Sequence, residues 1–425
     1  MLAPYWILLI MLGVFVACAM ALRLPIGLSL ALAAVAGALA GGAGVPIDQL
    51  VEGAFAYIDP ILIIAAAMVF MAVLEESGAL GSISRSIVIR LHRRTLLLVG
   101  GVTLFIMFPG MITGQSTATV LTTGAIAAPA LMACGIPRVK VAAMIAMTAI
   151  YGMIAPPVSL PTMIIGSGVD MPFVGFELPL LVATLPLAFG VNLALARPYL
   201  RGLRLDRVPP ELGPDHHAAY GLRLYLPLVV VVVLLAGIRV FPGWFPNLGI
   251  ALVLVVGSLV GLFTGRRFGL LAAAQGALGR GLPVMGILVG VGMFIQVMTL
   301  TGVRGMLVVA ALDLPSVLKY VGVAVMMPVF GAVSAYGSAS VLGVPFLLSF
   351  LGQDEIVVGA ALSLFAGLGD LMPPTALAGI FAAQVVGETN YLNVLKHTAL
   401  PALATAAWAL GMIVFANNLA ALLPG

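Results

Sequence analysis

Two stretches of this chain place hydroxyl and amide side chains inside otherwise apolar sequence. The first runs Thr113, Gly114, Gln115, Ser116, Thr117 and Thr119, and the apolar segment after it is broken at Ala155-Pro156-Pro157. The second runs Ser334, Tyr336, Gly337, Ser338 and Ser340, and its break is Met372-Pro373-Pro374. Setting Thr119-Val120-Leu121 on Ser340-Val341-Leu342 takes an offset of 221, whereas superposing the Pro-Pro pairs takes 217, so a four-residue gap separates the copies.

Such a pattern could bind ions of both signs. A proline inside a helix removes an N–H and displaces the carbonyl of the preceding turn. Freed carbonyls beside hydroxyls make a dehydrated oxygen cage suited to a hard monovalent cation. Half-helices that start at a polar tip or after Pro-Pro expose N–H groups at their positive ends, which attract an anion. Hydroxyls and small residues are also common where membrane helices merely pack. The argument for function is that both features recur together, in one order, in both halves of the chain. Asp370 lies three residues before Pro373, deep in an apolar segment, where an ionisable group is costly and functional by default. Its bland alternative is a protonated, hydrogen-bonded structural aspartate. Asp59, Glu75, Glu76, Asp170 and Glu177 fall near segment ends, and His92, His216, His217 and His397 read as loop residues. No Cys/His metal spacing, phosphate loop, zincin helix or nucleophile elbow is present, and no nucleophile and base pair up within the apolar segments, so an enzyme is not expected.

The elements that must position these residues are membrane helices. Hydrophobic residues make up 62% of the 425, charged residues 8%, and 50 are glycine; mean hydropathy is +1.22. About 20 apolar residues span a bilayer, and nearly every window of that length here qualifies. The chain reads as an all-α polytopic membrane protein without a soluble domain. Cys18 and Cys134 sit in apolar surroundings and read as packing residues. Residues 1–21 lack a basic start and a small-residue cleavage site, so they read as a retained first span.

Expected spans in the first half are 5–22, 27–45 and 60–73, then an amphipathic basic segment, 80–94. A segment of double length, 96–133, follows with its polar run at mid-length and reads as a re-entrant hairpin, because irregular backbone at membrane depth must be buried in protein or line a cavity; two full crossings with a polar connection are the alternative. A broken helix at 141–165 and a span at 178–195 complete residues 1–200. Residues 201–223 read as a cytoplasmic linker. Residues 224–425 repeat the order: spans at 224–238, 248–263 and 282–300, an arm at 303–314, a hairpin at 317–351, a broken helix at 356–384 and a last span at 399–419. With this threading 16 basic residues share one face and only Arg239, Arg304 and Lys319 fall on the other. The basic face is then cytoplasmic, both termini are periplasmic, and the halves have inverted topology. Inverted repeats with interrupted helices point to a secondary transporter with its site between the repeats. A channel would need an uninterrupted polar path instead. The basic balance belongs to the loops, so nucleic acid is not implied.

Several motifs resemble the large membrane subunit of tripartite ATP-independent periplasmic (TRAP) transporters, the dicarboxylate-permease type within the ion transporter superfamily. They are Ile58-Asp59-Pro60, Leu74-Glu75-Glu76-Ser77-Gly78, the tip 110–116, Gly135-Ile136-Pro137, Ala155-Pro156-Pro157-Val158-Ser159 and Asp370-Leu371-Met372-Pro373-Pro374-Thr375. The resemblance implies an elevator-type importer of small organic anions, driven by sodium, in a bacterial inner membrane. It implies sodium ligands at Thr113, Gly114, Ser116 and Ala155, and at Ser334, Gly337, Ser338, Asp370 and Met372. Anion contacts are implied at Gln115, Ser116, Thr117, Tyr336, Ser338, Ser159 and Thr375. It also implies a small four-helix membrane subunit and a periplasmic substrate-binding protein as partners. Where the family has an acidic signature this chain has Phe245-Pro246-Asn247-Leu248, and its second tip carries Tyr336. A stand-alone dimeric relative, proton-coupled through Asp370, is the alternative.

Overall fold

A computed structural model describes residues 2–91, 94–200, 216–241, 244, 246 and 248–423. The linker up to residue 215, His92 and Arg93, and Phe245 and Asn247 lie outside the described residues, as does the side chain of Arg239. The described residues form helices and no strand. In order these are α1 Pro4–Val16, α2 Ile26–Ala40, α3 Ile47–Phe55, α4 Ile58–Glu76, α5 Ala79–Leu91, α6 Thr95–Thr113, α7 Ser116–Thr119, α8 Ala125–Ala133, α9 Arg138–Ile154, α10 Leu160–Ser167 and α11 Glu177–Leu200. The second half has α12 His216–Tyr220, α13 Leu226–Val240, α14 Gly249–Gly261, α15 Leu270–Leu300, α16 Val303–Asp313, α17 Ser316–Gly331, α18 Ala335–Ser338, α19 Val344–Ser349, α20 Glu355–Leu368, α21 Leu377–Val385, α22 Tyr391–Val414 and α23 Ala416–Leu422. Among the described residues eight helical stretches are long and apolar enough to cross a membrane.

Helix packing divides these elements into two groups. In the first, α15 lies along α2, α3 and α4, while α14 joins α4 to α13 and α1 covers α2. Glycines make the contact close: a methyl group at Gly27 or Gly290 would strike the backbone of the other helix, and one at Gly53 or Gly292 would do the same between α3 and α15. Membrane helices gain little hydrophobic drive from lipid, so small residues that admit backbone-to-backbone packing hold them together. In the second group α9 and α20 are the centre, buried continuously over Val141–Ile154 and Val357–Leu368. Around them pack α6, α11, α17, α21 and α22.

Four expectations need correction. Helix α15 begins at Leu270, twelve residues before the expected 282, because Ala272-Ala273-Ala274 are good helix formers that carry the helix past the polar Gln275 and Arg280. Helix α3 was not expected; Asp48, Gln49 and Glu52 make it amphipathic rather than apolar. The last span is Tyr391–Val414, which places His397 inside a helix and not in a loop, and α12 likewise takes in His216 and His217. The repeat register is also different. Gly110 and Gly331 are equivalent at offset 221, since each meets the broken helix of its own half, at Gly152 and Gly369. The short helices α7 and α18, however, start 219 apart. So do the five-residue π turns after them, Val120–Gly124 and Ala339–Gly343. The gap is therefore two residues at the hairpin tip and two more before the Pro-Pro break, and Thr119 corresponds to Ser338 rather than Ser340.

Candidate functional site

Each tip is built by a helix that stops early. Helix α6 ends at Thr113 because Gly114 adopts the left-handed conformation, φ 65°, where a side chain is disfavoured. Gln115 is extended, and α7 begins at Ser116. In the second half Ser334 caps α18, its hydroxyl accepting the Gly337 N–H at 3.0 Å. The breaks dock on the tips of their own halves by matching backbone bonds. Val158 N–H donates to Met111 O at 3.0 Å, and Thr375 N–H donates to Ala332 O at 3.2 Å. Thr375 adds its hydroxyl to the same carbonyl at 2.7 Å.

Side chains, by contrast, cross between the halves. Ser116 of the first tip donates to Asp370 Oδ2 of the second break at 2.5 Å. Tyr336 of the second tip donates to Gly114 O of the first at 3.0 Å and reaches Met153 Sδ at 3.7 Å. Met153 stands three residues before Pro156, as Asp370 stands three before Pro373. The half-helices make the same exchange, α10 packing on α18 and α19, and α21 on α7 and the first π turn. Asp370 thus has its hydrogen-bond partner, Ser116, in the opposite half.

A cavity of about 480 Å³ opens between these tips and the first helix group. Thr113, Gln115, Ser116, Thr117, Ser334, Tyr336, Asp370 and Thr375 line it, opposite Met68, Met71, Pro283 and Ile287. The other expected site residues lie behind that surface. Gly114 lends its carbonyl to Tyr336, Ser338 donates to Met327 O at 2.7 Å, and the hydroxyls of Ser159 and Thr162 pair at 2.8 Å. Ala155 and Met372 are the last residues before the breaks; Ala155 N–H bonds Tyr151 O and Met372 N–H bonds Gly369 O. Gly337 is used in the Ser334 cap.

Gln115 is the tip's unspent donor. It is 2% exposed, and its Nε2 has no hydrogen-bond partner, although a buried amide without one costs about 1–3 kcal/mol. Such a group in a cavity wall is placed to meet a ligand acceptor. Arg280, which sequence reasoning set aside as a loop charge, lines the same cavity and lies 3.7 Å from Glu75 across its mouth. The signal that could have found it is the small-residue run 272–279, which extends α15 far enough to carry residue 280 to the tips. Asp370, 6% exposed, has Ser116 as its partner and forms no ion pair among the described residues. Oxygens of Thr113, Ser116 and Asp370 are hard donors, the type that suits an alkali cation. No group of three or more His, Cys, Asp and Glu that could hold a metal occurs among the described residues.

Polar tips facing a cavity, within a bundle of membrane-length helices, are the architecture of a multi-pass membrane protein. The solved YdaH transporter of Alcanivorax borkumensis, reported for its unusual topology, has a similar fold: TM-score 0.58 at 18% identity, over 86% of this chain and 87% of that one. The sequence model of the tripartite ATP-independent periplasmic transporter DctM component matches residues 12–419, and the chain belongs to that family. It is thus the large membrane component of a TRAP-type secondary transporter. No curated protein sequence matches it.

Proposed function

We propose that this chain carries a small organic anion, a carboxylate, into a bacterial cell across the inner membrane in symport with sodium. The observation that carries the proposal is the unpartnered Gln115 amide in the wall of a 480 Å³ cavity that also holds Arg280 and the Ser116–Asp370 pair. A donor without an acceptor and a guanidinium favour a carboxylate, and the volume lies in the range of small-metabolite pockets. Sodium is transported cargo on this reading, held at Thr113, Ser116 and Asp370 and at Ser334. The division into two helix groups supports an elevator, in which the tips and broken helices (hairpins 96–133 and 317–351, broken helices 141–165 and 356–384) move against α2, α4 and α15. The 16-to-3 charge bias supports inverted repeats 1–200 and 224–425, joined by a cytoplasmic linker, with both termini periplasmic. Membership of a tripartite family favours a small four-helix membrane subunit and a periplasmic binding protein as partners.

The test is uptake of a panel of organic acids into proteoliposomes, with and without an inward sodium gradient. Sodium-driven accumulation once the partner subunits are added is the expected result. Accumulation by the lone chain would make it a self-sufficient, dimeric relative. Asp370, which forms no ion pair among the described residues, favours one second reading, proton coupling, which predicts uptake driven by an inward proton gradient with sodium absent.

A further inference from the structure

A second cavity, of about 650 Å³, lies at the opposite end of the α13–α14 pair from Trp244, where the turn after α12 meets the turn after α14. Ala219, Tyr220 and Arg223 form one wall, and Phe263, Thr264, Gly265, Arg266 and Arg267 form the other. Three guanidiniums and no carboxylate line it. Arg266 is already committed: its Nη2 lies 2.9 Å from Glu76 Oε2, its Nε donates to Glu76 O at 3.1 Å, and its backbone N–H donates to Ser77 O at 3.2 Å. Gly265 rests so closely on Ser77 that a methyl group there would fall 2.7 Å from the Ser77 carbonyl oxygen. The wall is thereby fixed to the end of α4. Arg223 and Arg267 form no ion pair among the described residues.

The rim of this bowl is apolar and uncovered. Phe263 is 88% exposed and Tyr220 37% exposed, and both line the cavity. Free phosphate would satisfy the guanidiniums and leave these side chains as they are. A phospholipid satisfies both, placing its phosphate between Arg223 and Arg267 and its acyl chains over Phe263 and Tyr220. Arginine forks match phosphate oxygens, and basic pockets between membrane helices are headgroup sites. We propose that this bowl binds the headgroup phosphate of an anionic phospholipid, clamping the ends of α4, α13 and α14 together.

The experiment is thermal unfolding of the full chain in neutral detergent, titrated separately with phosphatidylglycerol, phosphatidylcholine and inorganic phosphate. Phosphatidylglycerol should raise the midpoint saturably, and the other two should not. Each of Arg223→Gln and Arg267→Gln should raise the half-saturating phosphatidylglycerol concentration about fivefold, as expected from the contribution of one surface arginine. Arg223→Lys with Arg267→Lys, which keeps the charge, should retain most of the shift and guards against a folding defect in the glutamine variants. No shift with phosphatidylglycerol, an equal shift with inorganic phosphate or phosphatidylcholine, or an unchanged half-saturation in both glutamine variants would overturn the proposal.

Discussion

The contact between Gly331 and Gly369 makes a graded prediction. A methyl group at Gly369 would lie 2.5 Å from the Gly331 carbonyl oxygen, and closer still to its Cα and carbonyl carbon. Carbon atoms rest at about 3.5 Å, so α17 and the second break would have to part by roughly 1 Å. Both sides are backbone, so no rotamer change relieves the clash. Overpacking of this kind costs about 1–3 kcal/mol, and backbone against backbone belongs at the upper end. For 425 residues at roughly 2.1 cal/mol/K each, that is a fall of about 3 °C in thermal midpoint. The functional loss should be larger. Asp370 is the next residue, and its 2.5 Å bond from Ser116 cannot survive such a shift; displacements of about 1 Å at preorganised sites cost tenfold to a hundredfold in rate. In Gly331→Ala the nearest atoms, Ala366 O and Gly369 Cα, are 3.0 Å away, so the same effects should appear at smaller size. Gly411→Ala, which meets nothing within 4 Å, should leave both readouts unchanged. Midpoint and initial uptake rate measured on the three variants test the order. A Gly369→Ala protein with wild-type uptake and midpoint would refute the backbone-contact argument.

Ser116→Ala and Asp370→Asn should each weaken cation-driven uptake, and their double-mutant cycle should show a coupling of about 1.5–3 kcal/mol in the ion's half-saturation; strictly additive effects would remove the pair from the ion site. Gln115→Leu should raise KM for the anion by roughly tenfold while raising the thermal midpoint slightly, because it deletes a buried amide that has no partner. A lowered midpoint with unchanged KM would contradict that role. Arg280→Gln should slow uptake most at low ionic strength, with the deficit shrinking as salt screens the mouth of the cavity; a salt-independent deficit would point to direct contact instead.

Much of the fold was legible because bilayer-length apolar runs and helix breakers are local signals. The expected bounds 96–133, 141–165, 317–351 and 356–384 each fall within a few residues of helix ends. Three things were hidden for identifiable reasons. Hydroxyl similarity drew Thr119 onto Ser340, although the backbone sets it against Ser338; side-chain type does not record where two residues have been dropped from a tip. The exchange of partners was also out of reach, because Ser116 and Asp370 are 254 positions apart and nothing in either stretch names the other. Arg280 was missed because Gln275 and Arg280 themselves ended the expected span, although α15 runs through both.

The exchange has a consequence for how the site comes into being. Each half supplies a tip and a break, yet Ser116 finds its carboxylate and Tyr336 its carbonyl only on the opposite half. A chain severed between residues 200 and 216 would therefore yield two fragments, neither holding a complete set of contacts, and a working cavity would require their reassociation. During synthesis the first tip likewise waits, with Ser116 unmatched, until more than 250 further residues have been made. The order of translation thus imposes a late step on assembly, and co-expression of the two fragments would expose it directly as complementation.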